Sequence, residues 1–131
     1  MTRTMKTGER TTFDVVKGIF ACLPKGRFTA SAPILHDALW RLAASNEFGK
    51  YLRDYVFEER SYFHFCKAFE ADLANMELAG LLATPNPDFT TYECRPKLKT
   101  TFDMRKASLF SASELDDLGK MATRFSTAIQ A

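Results

Sequence analysis

His64-Phe65-Cys66 sets an imidazole and a thiol one residue apart, and His36-Asp37 lies upstream. These residue types can bind zinc or form a nucleophile with its base. Zinc requires four ligands, and no second pair stands at finger-like spacing, so no metal is expected. On a helix, positions i and i+2 point to different sides, which leaves His64 exposed and Cys66 packed rather than paired for catalysis. Cys22, Cys66 and Cys94 are odd in number and widely spaced. That suits neither a disulfide framework nor a metal knuckle, and all three read as reduced core thiols. Glu58-Glu59 and Asp116-Asp117 are adjacent acids, a pattern that serves solvation or a helix dipole better than acid-base chemistry. P-loop, dinucleotide-binding, zinc-protease and serine-hydrolase motifs do not occur. The residues therefore point to a non-enzymatic protein without a cofactor.

The elements that position these residues must come from 131 residues, one domain's worth. With 46% hydrophobic and 13% aromatic residues, the chain can build a core. Eighteen Lys and Arg against sixteen Asp and Glu leave a net charge of +2, too little for nonspecific wrapping of nucleic acid. No apolar run reaches the length of a membrane span, and the first ten residues lack the apolar core of a signal peptide. A cytoplasmic protein without a membrane partner is expected.

Residues 1–10 are polar and aperiodic and read as a flexible arm carrying Arg3 and Lys6. Residues 11–131 read as a single domain. Thr11 or Thr12 can cap a first helix bearing Phe13, Val16 and Phe20, stopped by Pro24. Lys25-Gly26-Arg27 reads as a turn. Ser31 with Pro33 starts a second helix, which places Ile34, Leu35, Ala38, Leu39 and Leu42 on one face and ends at Ser45-Asn46. A third helix is expected over residues 47–57. Phe65, Phe69, Leu73 and Met76 predict a longer one over residues 61–79, stopped by Gly80.

Leu81 to Thr84, the turn cluster Pro85-Asn86-Pro87-Asp88, and Phe89 to Cys94 predict a β-hairpin. From Leu98 the residues alternate, with Leu98, Thr100, Phe102 and Met104 on one face, which predicts a third strand or an extended wing margin. Ser111-Ala112-Ser113-Glu114 is a capping box for a final helix with the stripe Leu115, Leu118, Ala122, Phe125 and Ile129. The expected fold is mainly α with a small antiparallel β-hairpin or wing.

This order of helices, with one ending in Leu73-Ala74-Asn75-Met76-Glu77-Leu78-Ala79-Gly80-Leu81-Leu82 before a hairpin and a last helix, resembles a winged helix-turn-helix domain over residues 33–98. Residues 13–98 are also similar to the Panacea (SocA-antitoxin-like) group, in which a helical front half leads into a wing-like β segment. That resemblance implies an antitoxin or adaptor that binds other proteins, and it carries over no site residue. A helix that reads DNA needs basic or amide side chains on its exposed face. Residues 61–80 offer Lys67 and Asn75 beside Glu70, Asp72 and Glu77, a poor surface for phosphate.

Two surfaces remain. Residues 48–69 hold eight of the seventeen aromatics, more than one core face needs, so Tyr51, Phe57, Tyr62 and Phe63 are candidates for an exposed patch that contacts another protein or a second copy of the chain. Alternatively these rings pack under the first and last helices. Arg95, Lys97, Lys99, Arg105 and Lys106 against Asp103 form a basic stretch. On a wing, Arg95, Lys97, Lys99 and Arg105 could contact DNA phosphates, with Arg3 and Lys6 as a supplementary arm. The equally plain reading is a solvated strand face guarded by lysines. The leading function is a non-enzymatic adaptor or antitoxin-like interaction module. The alternative is a DNA-binding transcriptional regulator.

Overall fold

Helix α1 (Thr12–Ala21) starts from a capping box: the Thr11 hydroxyl accepts the Asp14 amide at 3.2 Å, and the Asp14 carboxylate accepts the Thr11 amide at 3.0 Å. The computed structural model describes residues 10–84 and 90–130. Arg3 and Lys6 lie outside the described residues. Arg10 does not belong to an arm: its guanidinium pairs with Glu114 at 3.0 Å, reaches the Leu109 carbonyl, and lies over the rings of Tyr51 and Phe110.

The chain bends over residues 24–26 as expected, and strand β1 (Arg27–Thr29), three residues long and not expected from sequence, begins at the last residue of the expected Lys25-Gly26-Arg27 turn. Helix α2 (Ala32–Ala44) has Ser31 at its N-cap position, Pro33 in the first turn and Ser45 as its C-cap. The helix expected over residues 47–57 is reduced to one 3-10 turn, Gly49–Leu52. The Ser45 hydroxyl accepts the Phe48 amide and the Ser45 carbonyl accepts the Gly49 amide, so the chain folds back against the end of α2. Phe48, Tyr51, Leu52 and Tyr55 are nonetheless buried. A Cβ on Gly49 would lie 2.8 Å from the Ala43 carbonyl oxygen. Because that neighbour is backbone and cannot swing aside, Gly49→Ala should cost about 1–3 kcal/mol in a urea titration.

The long helix expected over residues 61–79 begins only at Lys67, giving α3 (Lys67–Leu78). Ahead of it, β2 (Glu58–Glu59) and β3 (His64–Phe65) form an antiparallel hairpin with Glu58 opposite Phe65 and Glu59 opposite His64. Gly80 ends α3 as the sequence predicts. At φ +79° it lets its own amide reach the Glu77 carbonyl and the Leu81 amide reach the Met76 carbonyl, closing two orphan acceptors.

The expected second hairpin is present as β4 (Leu82–Ala83) and β5 (Thr91–Cys94); the expected turn cluster Pro85-Asn86-Pro87-Asp88, with Phe89, lies outside the described residues. β1 pairs with the other edge of β5, so the sheet runs β1-β5-β4, all antiparallel. The third strand from Leu98 is overturned: those residues belong to helix α4 (Pro96–Leu109), with Pro96 in its first turn, where a missing N–H costs nothing. Helix α5 (Ala112–Gln130) starts from the expected box, the Ser111 hydroxyl taking the Glu114 amide at 3.2 Å and Glu114 taking the Ser111 amide at 2.8 Å.

The chain is thus mainly α with small antiparallel sheets. Its core centres on Phe20, whose ring meets Phe28 of β1, Phe69 of α3 and Phe125 of α5 at 5.1, 6.4 and 5.6 Å. No helix among the described residues is long and apolar enough to cross a membrane.

Candidate functional site

The four aromatics singled out from sequence do not share one surface. Tyr51 is buried, only 4% exposed, with its hydroxyl donating to Asp117 at 2.6 Å and its ring beneath Arg10 and Lys50. Burial and that carboxylate push its phenol up to about 12. It is a packing residue that ties the 3-10 turn to α5, and its place in an exposed patch is corrected. Phe57 is half-buried with its ring edge-on to Tyr55 at 6.4 Å. Phe63 is half-buried between Phe65 and His36. Tyr62 alone is open, at 90% exposure.

Tyr62 stands at the tip of the β2-β3 hairpin, in a two-residue loop closed by the Arg60 amide donating to the Phe63 carbonyl at 2.8 Å. The base beneath it is built by α2 and the start of α3. His36 and Trp40, four residues apart, share one helix face, with Asp37 beside them. The His64 ring lies flat on Trp40 at 3.8 Å and 2°. One Asp37 oxygen accepts the His64 backbone amide at 2.8 Å and faces the ring Nδ1 at 3.1 Å, so the outer edge of β3 is capped by a carboxylate. Phe65 stacks on His36 at 4.8 Å and 10°, and Arg60 packs over the Phe65 ring at 4.1 Å while bonding Glu58. The hairpin tip is exposed, but its foundation is dense.

His36 completes that foundation and is itself fully buried. Its Nδ1 lies 3.0 Å from the Cys66 amide, which can only donate, so Nδ1 carries no proton. The proton is on Nε2, donated to Glu70 Oε1 at 2.9 Å. Burial lowers the ring's pKa below the ordinary histidine value, and Glu70 opposes that shift. Cys66 is the N-cap of α3, its sulfur accepting the Phe69 amide at 3.4 Å.

Cys66 packs as expected, and its backbone amide bonds to the other histidine, whereas His64 is half-buried on Trp40 where exposure is expected. Burial raises the pKa of all three thiols, that of Cys94 to about 11, which keeps them protonated and weakly nucleophilic near neutrality. Among the described residues no group of three or more His, Cys, Asp or Glu is placed to hold a metal ion.

α3 presents Lys67, Ala68, Glu70, Ala71, Ala74, Asn75 and Leu78 outward, and Leu78 is 87% exposed. Its acids are engaged: Glu70 with His36, Asp72 with the Tyr55 hydroxyl at 2.5 Å, and Glu77 with Thr84.

The basic residues sit differently from the wing expected. A strand would align Lys97, Lys99 and Arg105, whereas on α4 Lys97 and Lys99 are turned about 200° apart. Arg95 pairs with Glu93 at 3.2 Å, Lys97 donates to the Ala79 carbonyl at the end of α3, and Lys99 and Lys106 share Asp103. Arg105 borders a small cavity of about 30 Å³ between α1 and α4. None of these cations lies on β4 (Leu82–Ala83) or β5 (Thr91–Cys94). Set against family models, curated proteins and solved structures, the chain matches none.

Proposed function

We propose that the chain is a non-enzymatic protein-interaction module, an adaptor or antitoxin-like subunit on a winged helix-like scaffold, acting in the cytoplasm, and that the β2-β3 hairpin is its contact element. One observation carries the reading: a tyrosine 90% exposed at the tip of a short hairpin whose base is fixed by two ring stacks and a carboxylate. An aromatic side chain has few rotatable bonds and loses little entropy on docking, less still from a fixed base, which is why such residues anchor partner proteins. With the 3-10 turn and the β2-β3 hairpin inserted between α2 and α3, the order α1, β1, α2, α3, β4-β5, with β1 beside β5, supports the winged-helix scaffold. α3, which would be its reading helix, offers alanines and Leu78 in place of a basic face.

Photo-cross-linking tests this reading. A benzophenone side chain at position 62 should yield a discrete adduct in cells, to a partner or to a second copy, and one at Met104, itself 80% exposed, should not. No adduct at 62, or the same products from both positions, would refute it.

DNA binding through Arg95, Lys97, Lys99 and Arg105 has a separate test. With Lys97, Lys99 and Arg105 divided over α4, and Arg95, Lys97 and Lys99 tied to neighbours, a mixed duplex at low salt and micromolar protein should not be retarded in a gel. Retardation that Lys97→Glu with Lys99→Glu abolishes would favour the regulator reading instead.

A further inference from the structure

The hairpin hangs on one buried histidine whose two nitrogens do opposite things. His36 Nε2 donates to Glu70, and Nδ1 accepts the amide of Cys66, the residue that both ends the hairpin and caps α3. A second proton can enter only at Nδ1, where it would point at the Cys66 N–H. Two donors would then face each other at 3.0 Å, so the ring must turn, and turning breaks its 10° stack with Phe65. The Cys66 amide bond and the Phe65 stack thus both depend on a neutral ring, while His64 is held separately by Trp40 and Asp37.

The charged and titratable groups around His36 are few: Glu70 of α3, Asp37 on its own helix, Arg60 and His64 of the hairpin, and Cys66. Glu70 and Asp37 favour the imidazolium and Arg60 opposes it, while burial is the largest influence and disfavours it. The side chain of Glu70 is 53% exposed, so a change at its carboxylate leaves no buried cavity.

We propose that His36 is a proton-sensitive latch: its neutral ring holds the Tyr62 hairpin against α2 and α3, and protonation at Nδ1 releases the hairpin while the helical core stands. An opened hairpin lets the ring take the proton at its ordinary affinity. The latch is therefore complete above about pH 6.5 and weakens as the pH falls through the lowered value of the seated ring. The latch is a property of the fold; its consequence for binding rests on the hairpin being the contact element.

Hydrogen exchange on the full chain tests it, read as protection factors so that the intrinsic pH dependence is removed. Between about pH 7.5 and pH 5 the Cys66 and Arg60 amides should lose at least about tenfold in protection, and the Phe125 amide of α5 should keep its own. His64→Phe keeps a ring on Trp40 and removes the other imidazole of the hairpin, and the response should persist in it. Glu70→Gln, at an open site, should shift the midpoint down by roughly half a pH unit, because it removes a charge that favours the imidazolium. Unchanged protection at Cys66, loss in step with Phe125, or a response that vanishes in His64→Phe would overturn the latch. If the hairpin opens as described and cross-linking from position 62 ignores pH, the latch stands and the contact reading fails.

Discussion

Phe69→Ala should cost about 3–5 kcal/mol of folding stability and lower the thermal midpoint by roughly 10–25 °C. Phe69 is fully buried, and its ring meets Phe20 of α1, Tyr55 after the 3-10 turn, and His36 of α2 at 6.4, 5.9 and 4.8 Å. It is the point at which α3, the core and the base of the hairpin join. Truncation leaves a cavity bordered by rings and helix backbones that cannot all close in. A domain of this size has a total stability of about 5–15 kcal/mol, so the variant should sit near the edge of folding. Leu78→Ala, on the open face of the same helix, should change stability by less than about 0.5 kcal/mol. Thermal melts followed by far-ultraviolet circular dichroism compare the two, and similar midpoints would mean that α3 does not pack as described.

Tyr62→Ala should do the reverse. The side chain makes no hydrogen bond among the described residues and is 90% exposed, so the fold should lose less than about 0.5 kcal/mol. Binding to the partner should weaken by about 2 kcal/mol or more, roughly thirtyfold, as expected for an aromatic anchor at the centre of an interface. Phe63→Ala is a less clean probe, since its ring also supports Phe65 and His36. Tyr51→Ala would weaken the fold through lost packing and the bond to Asp117.

Much of the fold is legible in the sequence where local chemistry decides it. Thr11 with Asp14, Pro33, Gly80, and Ser111 with Glu114 all act within a few residues, and each ends or starts a helix where expected. The errors arise where distant partners decide. Leu98, Thr100, Phe102 and Met104 alternate, yet α4 buries only Leu98 and Leu109 fully, too sparse a stripe to reveal a helix; Pro96 was its available sign. Phe65 continues the spacing of Phe69, Leu73 and Met76, but its ring belongs to His36, and a cysteine cap gave no warning that α3 starts later. Tyr51 looks spare until Asp117 of α5 arrives to hold it.

The candidate site was half visible for the same reason. Tyr62 and Phe63 stand in the aromatic cluster, and His36-Asp37 and His64 were recognisable as reactive types. That His36, Asp37 and Trp40 together form the floor of a hairpin depends on pairs about thirty residues apart, which no local period encodes. The i, i+4 spacing of His36 and Trp40 was the one available signal.

The most direct test compares partner binding by the unaltered chain, Tyr62→Ala, and Lys97→Glu with Lys99→Glu, using the partner identified from position 62 or self-association by sedimentation. The account predicts that Tyr62→Ala loses binding at unchanged thermal stability and that the charge reversal on α4 retains it. Full binding by Tyr62→Ala, with loss on charge reversal, would contradict it and move the functional surface from the hairpin to α4.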